Sequence, residues 1–159
     1  MKCHRSAASL GLAVLAVLGL TGPLAAVQQV PFLGRLDGVG TITGGPPIVS
    51  VLVNATGNAT QLGQFTLAIP HTVNLTTRTA VGSYQFVAAN GDRLVATFSG
   101  RSMPTATPGV ITIVETATIT GGTGRFTGAT GGFTCQRLFN RVTGRTTGSF
   151  QGTISLPGN

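Results

Sequence analysis

The sequence predicts an all-β domain: a single eight-stranded antiparallel β-barrel behind an N-terminal signal-peptide helix. Three observations predict it. No segment beyond residue 27 sustains the three-to-four-residue apolar spacing of a helix. Short runs rich in Val, Ile, Thr and Phe are punctuated instead by Gly, Asn and Pro, as in strands joined by tight turns. Several of these runs alternate apolar and polar residues, so that each buries one face and wets the other. Eight antiparallel strands in one small domain must hide their edges, and closure into a barrel removes edges altogether.

In chain order the first element is not a strand. Lys2, His4 and Arg5 make a basic start, Leu10 to Leu20 is apolar throughout, Thr21-Gly22-Pro23 breaks the run, and Leu24-Ala25-Ala26 supplies small residues. This is the layout of a secretory signal peptide over residues 1–26. The apolar run is shorter than the ~20 residues of a comfortable membrane span, so no stable membrane insertion is expected after cleavage. Residues 27–159 form one domain, long enough to bury a core. The expected location is secreted, periplasmic or extracellular.

The strands are expected at about 33–43, 48–56, 62–73, 78–89, 93–101, 109–120, 129–140 and 145–156. In the third, Phe65, Leu67, Ile69 and Val73 take the inner face. In the fifth the inner set is Leu94, Ala96 and Phe98. Asn90-Gly91 between the fourth and fifth is a hairpin signal, because both residues tolerate positive φ. In the eighth, Phe150, Ile154 and Leu156 face inward, while Arg145, Thr147, Ser149, Gln151, Thr153 and Ser155 face out. A weak internal repeat relates "NLTTRTAVGSYQF" from Asn74 to "NRVTGRTTGSFQG" from Asn140 at an offset of 66. It suggests near-symmetric halves, although a chain so rich in Thr and Gly can produce such a match by composition.

The glycine-dense stretch "ITGGTGRFTGATGGFTC", 119–135, poses a choice between a phosphate cradle and a corner. A phosphate loop needs a helix after it and usually a lysine, and neither is present. The stretch therefore reads as a strand end, a sharp corner at Gly121-Gly122, an irregular turn from Thr123 to Phe126, and a new strand near Gly131. Phe126 and Phe133 are expected to plug the end of the barrel.

At this point the chain resembles a family. "GGTGRFTGATGGF" is similar to the signature that follows a long strand in dirigent proteins and in allene oxide cyclase-like barrels. "TQLGQFT" and "ANGD" add to the likeness, which spans roughly 58–155. The resemblance implies an eight-stranded antiparallel barrel with an apolar cavity, often trimeric in the plant members. It is nearest to bacterial secreted members carrying an allene oxide cyclase-like barrel, and it brings no reaction and no catalytic residue with it.

Charge and composition narrow the function. After residue 26 the chain holds eight arginines, three acids and no lysine, a net charge of +5. The arginines are scattered apart from a loose group at Arg137, Arg141 and Arg145, without the aromatic interleaving of a nucleic-acid binder, so no nucleic-acid partner is expected. One cysteine and one histidine remain, which argues against a metal site. No cofactor is expected. Cys135 has no partner for an internal disulfide and is expected to be buried. Asn54, Asn58 and Asn74 begin Asn-x-Thr patterns, which matter only in a eukaryotic secretory pathway.

The candidate ligand-contacting residues are Glu115, Arg137, Tyr84, His71 and Cys135. Glu115 shares strand parity with Ile111, Ile113, Ala117 and Ile119, which puts a carboxylate on an apolar face. Such a group must find a partner or take up a proton. Arg137 alternates with Phe133, Cys135 and Phe139 on the next strand, within reach of Glu115 across the hairpin. Tyr84 shares a face with Phe86, while His71, after Pro70 and near a strand end, is expected to be exposed. Each also has a purely structural reading, Glu115 as an ion-paired or register-shifted residue above all.

Glu115 is the single candidate for general acid/base work. The expected function is non-catalytic, either binding a small apolar ligand or serving a structural role. The alternative is a cofactor-free isomerase or cyclase that holds an apolar substrate in a dry pocket. A surface binder of acidic polymers, using outward arginines, ranks third. A barrel filled solid by phenylalanines would favour the structural role, and an open cavity with Glu115 on its wall would favour binding or catalysis.

Overall fold

A computed structural model of the protein describes residues 28–157, and the expected signal peptide lies outside them. Eight strands run antiparallel: β1 (Gln29–Gly45), β2 (Ile48–Ala59), β3 (Gly63–Asn74), β4 (Thr79–Ala88), β5 (Arg93–Pro104), β6 (Val110–Gly122), β7 (Thr130–Asn140) and β8 (Arg145–Ser155). Each strand pairs with the next and β8 pairs back with β1, so the barrel is closed.

β1 is the strand that departs most from expectation. It begins four residues early, because Pro31 and Gly34 hide an extended segment whose pairing is set by the strands beside it. Its first part pairs with β8 and its second with β2, so one long strand closes the cylinder. Phe32, missed by sequence reading, is fully buried as a result.

Inward positions alternate down every strand, and the interior divides into two halves. In one half Phe32, Phe65, Phe86, Phe133 and Phe150 form a continuous cluster with ring centroids 5.1 to 6.2 Å apart, mostly tilted or edge-on. That is the geometry aromatic quadrupoles favour. Burying each ring contributes roughly 1.5–3 kcal/mol. Leu62 and Phe126, both buried, lie in the β2–β3 and β6–β7 connections at this end. The Arg125 guanidinium ties the two connections, donating to the Leu62 carbonyl at 3.3 Å and lying 4.9 Å from the Phe126 ring centre.

The glycine-dense stretch is the expected corner. β6 ends at Gly122, a single 3₁₀ turn spans Gly124–Phe126, and β7 follows as a strand. Gly124 has φ +58°, and a Cβ there would fall 1.9 Å from Asp92 Oδ1, so both backbone and space demand glycine. One parity reading fails: Ser155 is buried rather than exposed, because it lies at a strand end between Gln29 and Thr130.

The internal repeat corresponds to a shared turn. Asn74 Oδ1 accepts from the amides of Thr76 and Thr77, and Asn140 Oδ1 accepts from those of Val142 and Thr143. Both are Asx turns at the same end of the barrel, opposite the aromatic half.

Candidate functional site

Glu115 is fully buried on the inner face of β6, as its parity predicts. Cys135 of β7 stands directly opposite it, and Arg137 is the diagonal neighbour on the same face. The Arg137 guanidinium grips the carboxylate with two bonds, Nε to Oε2 at 2.9 Å and Nη2 to Oε1 at 2.6 Å. Tyr84 of β4 donates its hydroxyl to Oε2 from across the interior. Every buried side-chain nitrogen and oxygen among the described residues has a partner. The cluster therefore meets the condition under which an ion pair can be taken out of water.

Room for these long side chains comes from glycines on the adjoining strands. His71 lies opposite Gly82, Glu115 opposite Gly100 and Arg137 opposite Gly148. A Cβ at Gly82 would fall 2.4 Å from His71 Cβ, at Gly100 2.6 Å from Glu115 Cγ, and at Gly148 2.5 Å from Arg137 Cβ. Tyr84 likewise pairs with the small Ala96.

The electrostatics follow from burial and from the ion pair. Burial works against the Arg137 charge, but the Glu115 hydrogen bonds and charge outweigh it and raise its pKa. Burial, with the Glu115 charge beside it, pushes the Tyr84 phenol well above its usual value, so it remains a proton donor. Burial pushes the Cys135 thiol up to about 11, so it is an unreactive thiol at neutral pH.

His71 corrects an expectation. It is 9% exposed rather than solvent-facing, because β3 continues past it to Asn74 and Gly82 makes space beside it. Burial lowers its pKa, with Arg137 acting in the same direction; a bond to the Ile69 carbonyl and the Glu115 charge oppose this. That 2.9 Å bond assigns the proton of the neutral ring to Nδ1.

Above the cluster the barrel is open. A cavity of about 450 Å³ has Glu115, Arg137 and His71 on its wall, with Val49, Val51, Ile111 and Ile113 among its apolar lining. Both sequence alternatives are thus present in one molecule: phenylalanines fill one half and a cavity with Glu115 on its wall occupies the other. Two further grooves lie on the outer surface, along β1 to β5. They hold none of the five candidate residues.

The mouth carries residues that sequence reading did not single out as a group. Arg78, Arg101 and Arg141 line the cavity from the β3–β4 turn, the end of β5 and the β7–β8 turn. The loose arginine group seen in sequence disperses: Arg137 lies inside, Arg141 lines the cavity, and Arg145 pairs with Asp37 on the outer surface at 3.2 Å. Among the described residues no three His, Cys, Asp or Glu side chains converge as metal ligands.

The chain matches no protein-family model, and no curated protein matches it. Solved structures do match it. The pterocarpan synthase dirigent protein PsPTS1 superposes with a TM-score of 0.60 at 10% identity, over 83% of this chain and 97% of that one. The pterocarpan synthase dirigent protein GePTS1 superposes with a TM-score of 0.57 at 12% identity, over 90% of this chain and 97% of that one. The chain thus has a dirigent-like barrel fold, in line with the dirigent side of the sequence resemblance.

Proposed function

We propose that this is an exported, non-catalytic barrel that binds a small apolar molecule in the cavity between the aromatic plug and the turns at Asn74 and Asn140. One observation carries the reading: apolar walls surround a cavity whose inner end is a fixed set of polar groups, Glu115, Arg137 and His71. That combination is typical of small-molecule sites, where apolar area gives affinity and a few placed polar groups give orientation. In this reading Tyr84 and Cys135 support the polar wall from behind, Tyr84 through its bond to Glu115. Kinship with bacterial secreted allene oxide cyclase-like barrels belongs to the same proposal, as does export directed by residues 1–26.

A trimer is part of it too. Leu52 and Pro70 are paired neighbours on the outer face of β2 and β3, and Val81 extends the apolar surface onto β4. A second copy would cover these exposed apolar groups. Native mass spectrometry of protein purified from its own host tests the reading directly. The expected spectrum shows a retained small molecule and three subunits. A bare monomer that also refuses added apolar compounds would overturn it.

The second reading is a cofactor-free isomerase or cyclase. It is favoured by Glu115 on the cavity wall with a phenol hydrogen-bonded to it, and by the naming of both structural neighbours as synthases. Glu115→Gln separates the two. Loss of turnover with retained ligand affinity identifies an enzyme, whereas absence of turnover in both forms identifies a carrier.

A further inference from the structure

We propose that the cavity takes an amphiphile: an apolar body carrying one oxyanion head group, seated on Arg78, Arg101 and Arg141. The inference rests on the binding reading above and adds the ligand's charge and orientation. Acidic counter-charges are few, and arginines outside the cavity mouth take them all. The described residues contain three acids, and each is paired with an arginine. Asp92 lies 3.7 Å from Arg125, Asp37 lies 3.2 Å from Arg145, and Glu115 lies 2.6 Å from Arg137. Arg78, Arg101 and Arg141 all line one cavity, and none has an acid within salt-bridge distance among the described residues. The inner end of the cavity holds a neutralised pair; its mouth is cationic without compensation.

The three arginines come from separate places in the sequence, and the fold brings all three to the lining of one cavity, Arg101 from an exposed position at the outward parity of β5. Low-dielectric walls strengthen the field of charges set beside them. Guanidinium groups present planar forks suited to carboxylate, sulfonate or phosphate oxygens.

Arg78 carries a second, independent observation. The 66-residue repeat places it in register with Gly144, and both adopt left-handed backbone, at φ 57° and 72°. Glycine takes that conformation freely, whereas arginine is strained there. The β3–β4 turn thus holds a strained cation at the cavity, where its sister turn has a relaxed glycine. Leu75 and Arg141 also correspond in the repeat, and both line the cavity.

Two fluorescent probes of similar apolar body test this: anilinonaphthalene sulfonate, which is anionic, and N-phenyl-1-naphthylamine, which is neutral. The sulfonate should bind the intact protein at least about tenfold more tightly at low ionic strength. That advantage should shrink as salt is raised. Arg78→Gly combined with Arg101→Gln and Arg141→Gln should bring the sulfonate down to the affinity of the neutral probe. Arg78→Gly alone should raise the melting temperature while weakening sulfonate binding. Ile113→Trp, which fills the cavity, should abolish binding of both probes.

Equal affinity of the two probes for the intact protein overturns the head-group inference and leaves the cavity reading standing. Failure of both probes to bind overturns the cavity reading as well. A sulfonate preference that survives the triple variant, or persists in Ile113→Trp, places the anion elsewhere and overturns the inference. Sedimentation with phosphatidylglycerol vesicles, without any probe preference, would assign the arginines to a membrane surface and overturn it too.

Discussion

At the residue scale, Glu115 and the groups that hold it organise the polar interior. Its two oxygens accept from Arg137 twice and from Tyr84 once, with both members of the ion pair almost wholly buried. Removing one member strands the other without a partner. Arg137→Leu should therefore cost about 3–5 kcal/mol in urea unfolding, while Glu115→Leu with Arg137→Met should recover most of that loss. His71 gives a pH signature. Burial holds its folded-state pKa below 6.5, so below pH 6.5 the unfolded chain takes up the proton first. Stability should fall as pH drops through 6.5 and level off below the folded-state pKa. His71→Gln should lose that component of the slope, read as urea midpoints from about pH 7.5 to about pH 5. Alternation alone disclosed Glu115 and Arg137, because a carboxylate and a guanidinium sat at core parity on consecutive strands. It did not disclose the Tyr84 bond. Tyr84 lies two strands away, on the far side of β5, and no local pattern encodes a contact across the interior.

At the element scale, glycine decides where long polar side chains fit. Gly148 stands opposite Arg137, and a methyl group there would meet the Arg137 Cβ at 2.5 Å. Its φ is not in the left-handed region, so the cost of substitution is steric. Gly148→Ala should destabilise by about 1–3 kcal/mol in thermal unfolding, as overpacking does. An unchanged melting temperature would mean that β8 can shift away from Arg137. Strand existence was legible because period-two alternation and turn residues agree through β2 to β8. The start of β1 was not, since Pro31 and Gly34 weaken the local signal and pairing with β8 imposes the strand. The repeat was legible as letters. Its meaning, two Asx turns at one end of the barrel, required the hydrogen bonds of Asn74 and Asn140.

At the scale of the whole molecule the barrel has two unlike halves. Eight phenylalanines and a tyrosine are buried in it or against it, and five of those rings fill one half as a continuous cluster. The other half remains open, with aliphatic walls and arginines at its mouth. Eight strands make an interior that side chains can just fill or that can hold one small ligand. Here the sequence places most of its large rings toward one end, while Phe139 lines the cavity at the other. The closed cylinder was legible from strand count and the need to hide edges. The open half was not, because it depends on which inward positions are aliphatic or glycine at one axial level, a property of register between strands. Methyl-resolved NMR during titration with N-phenyl-1-naphthylamine reports whether the open half takes up an apolar molecule. The methyl signals of Val49, Val51, Ile111 and Ile113 should shift and saturate together, while those of Leu94 and Ile154, buried in the core away from the cavity, stay in place. Shifts confined to outward-facing residues such as Leu52 and Val81, or none at all, would contradict it.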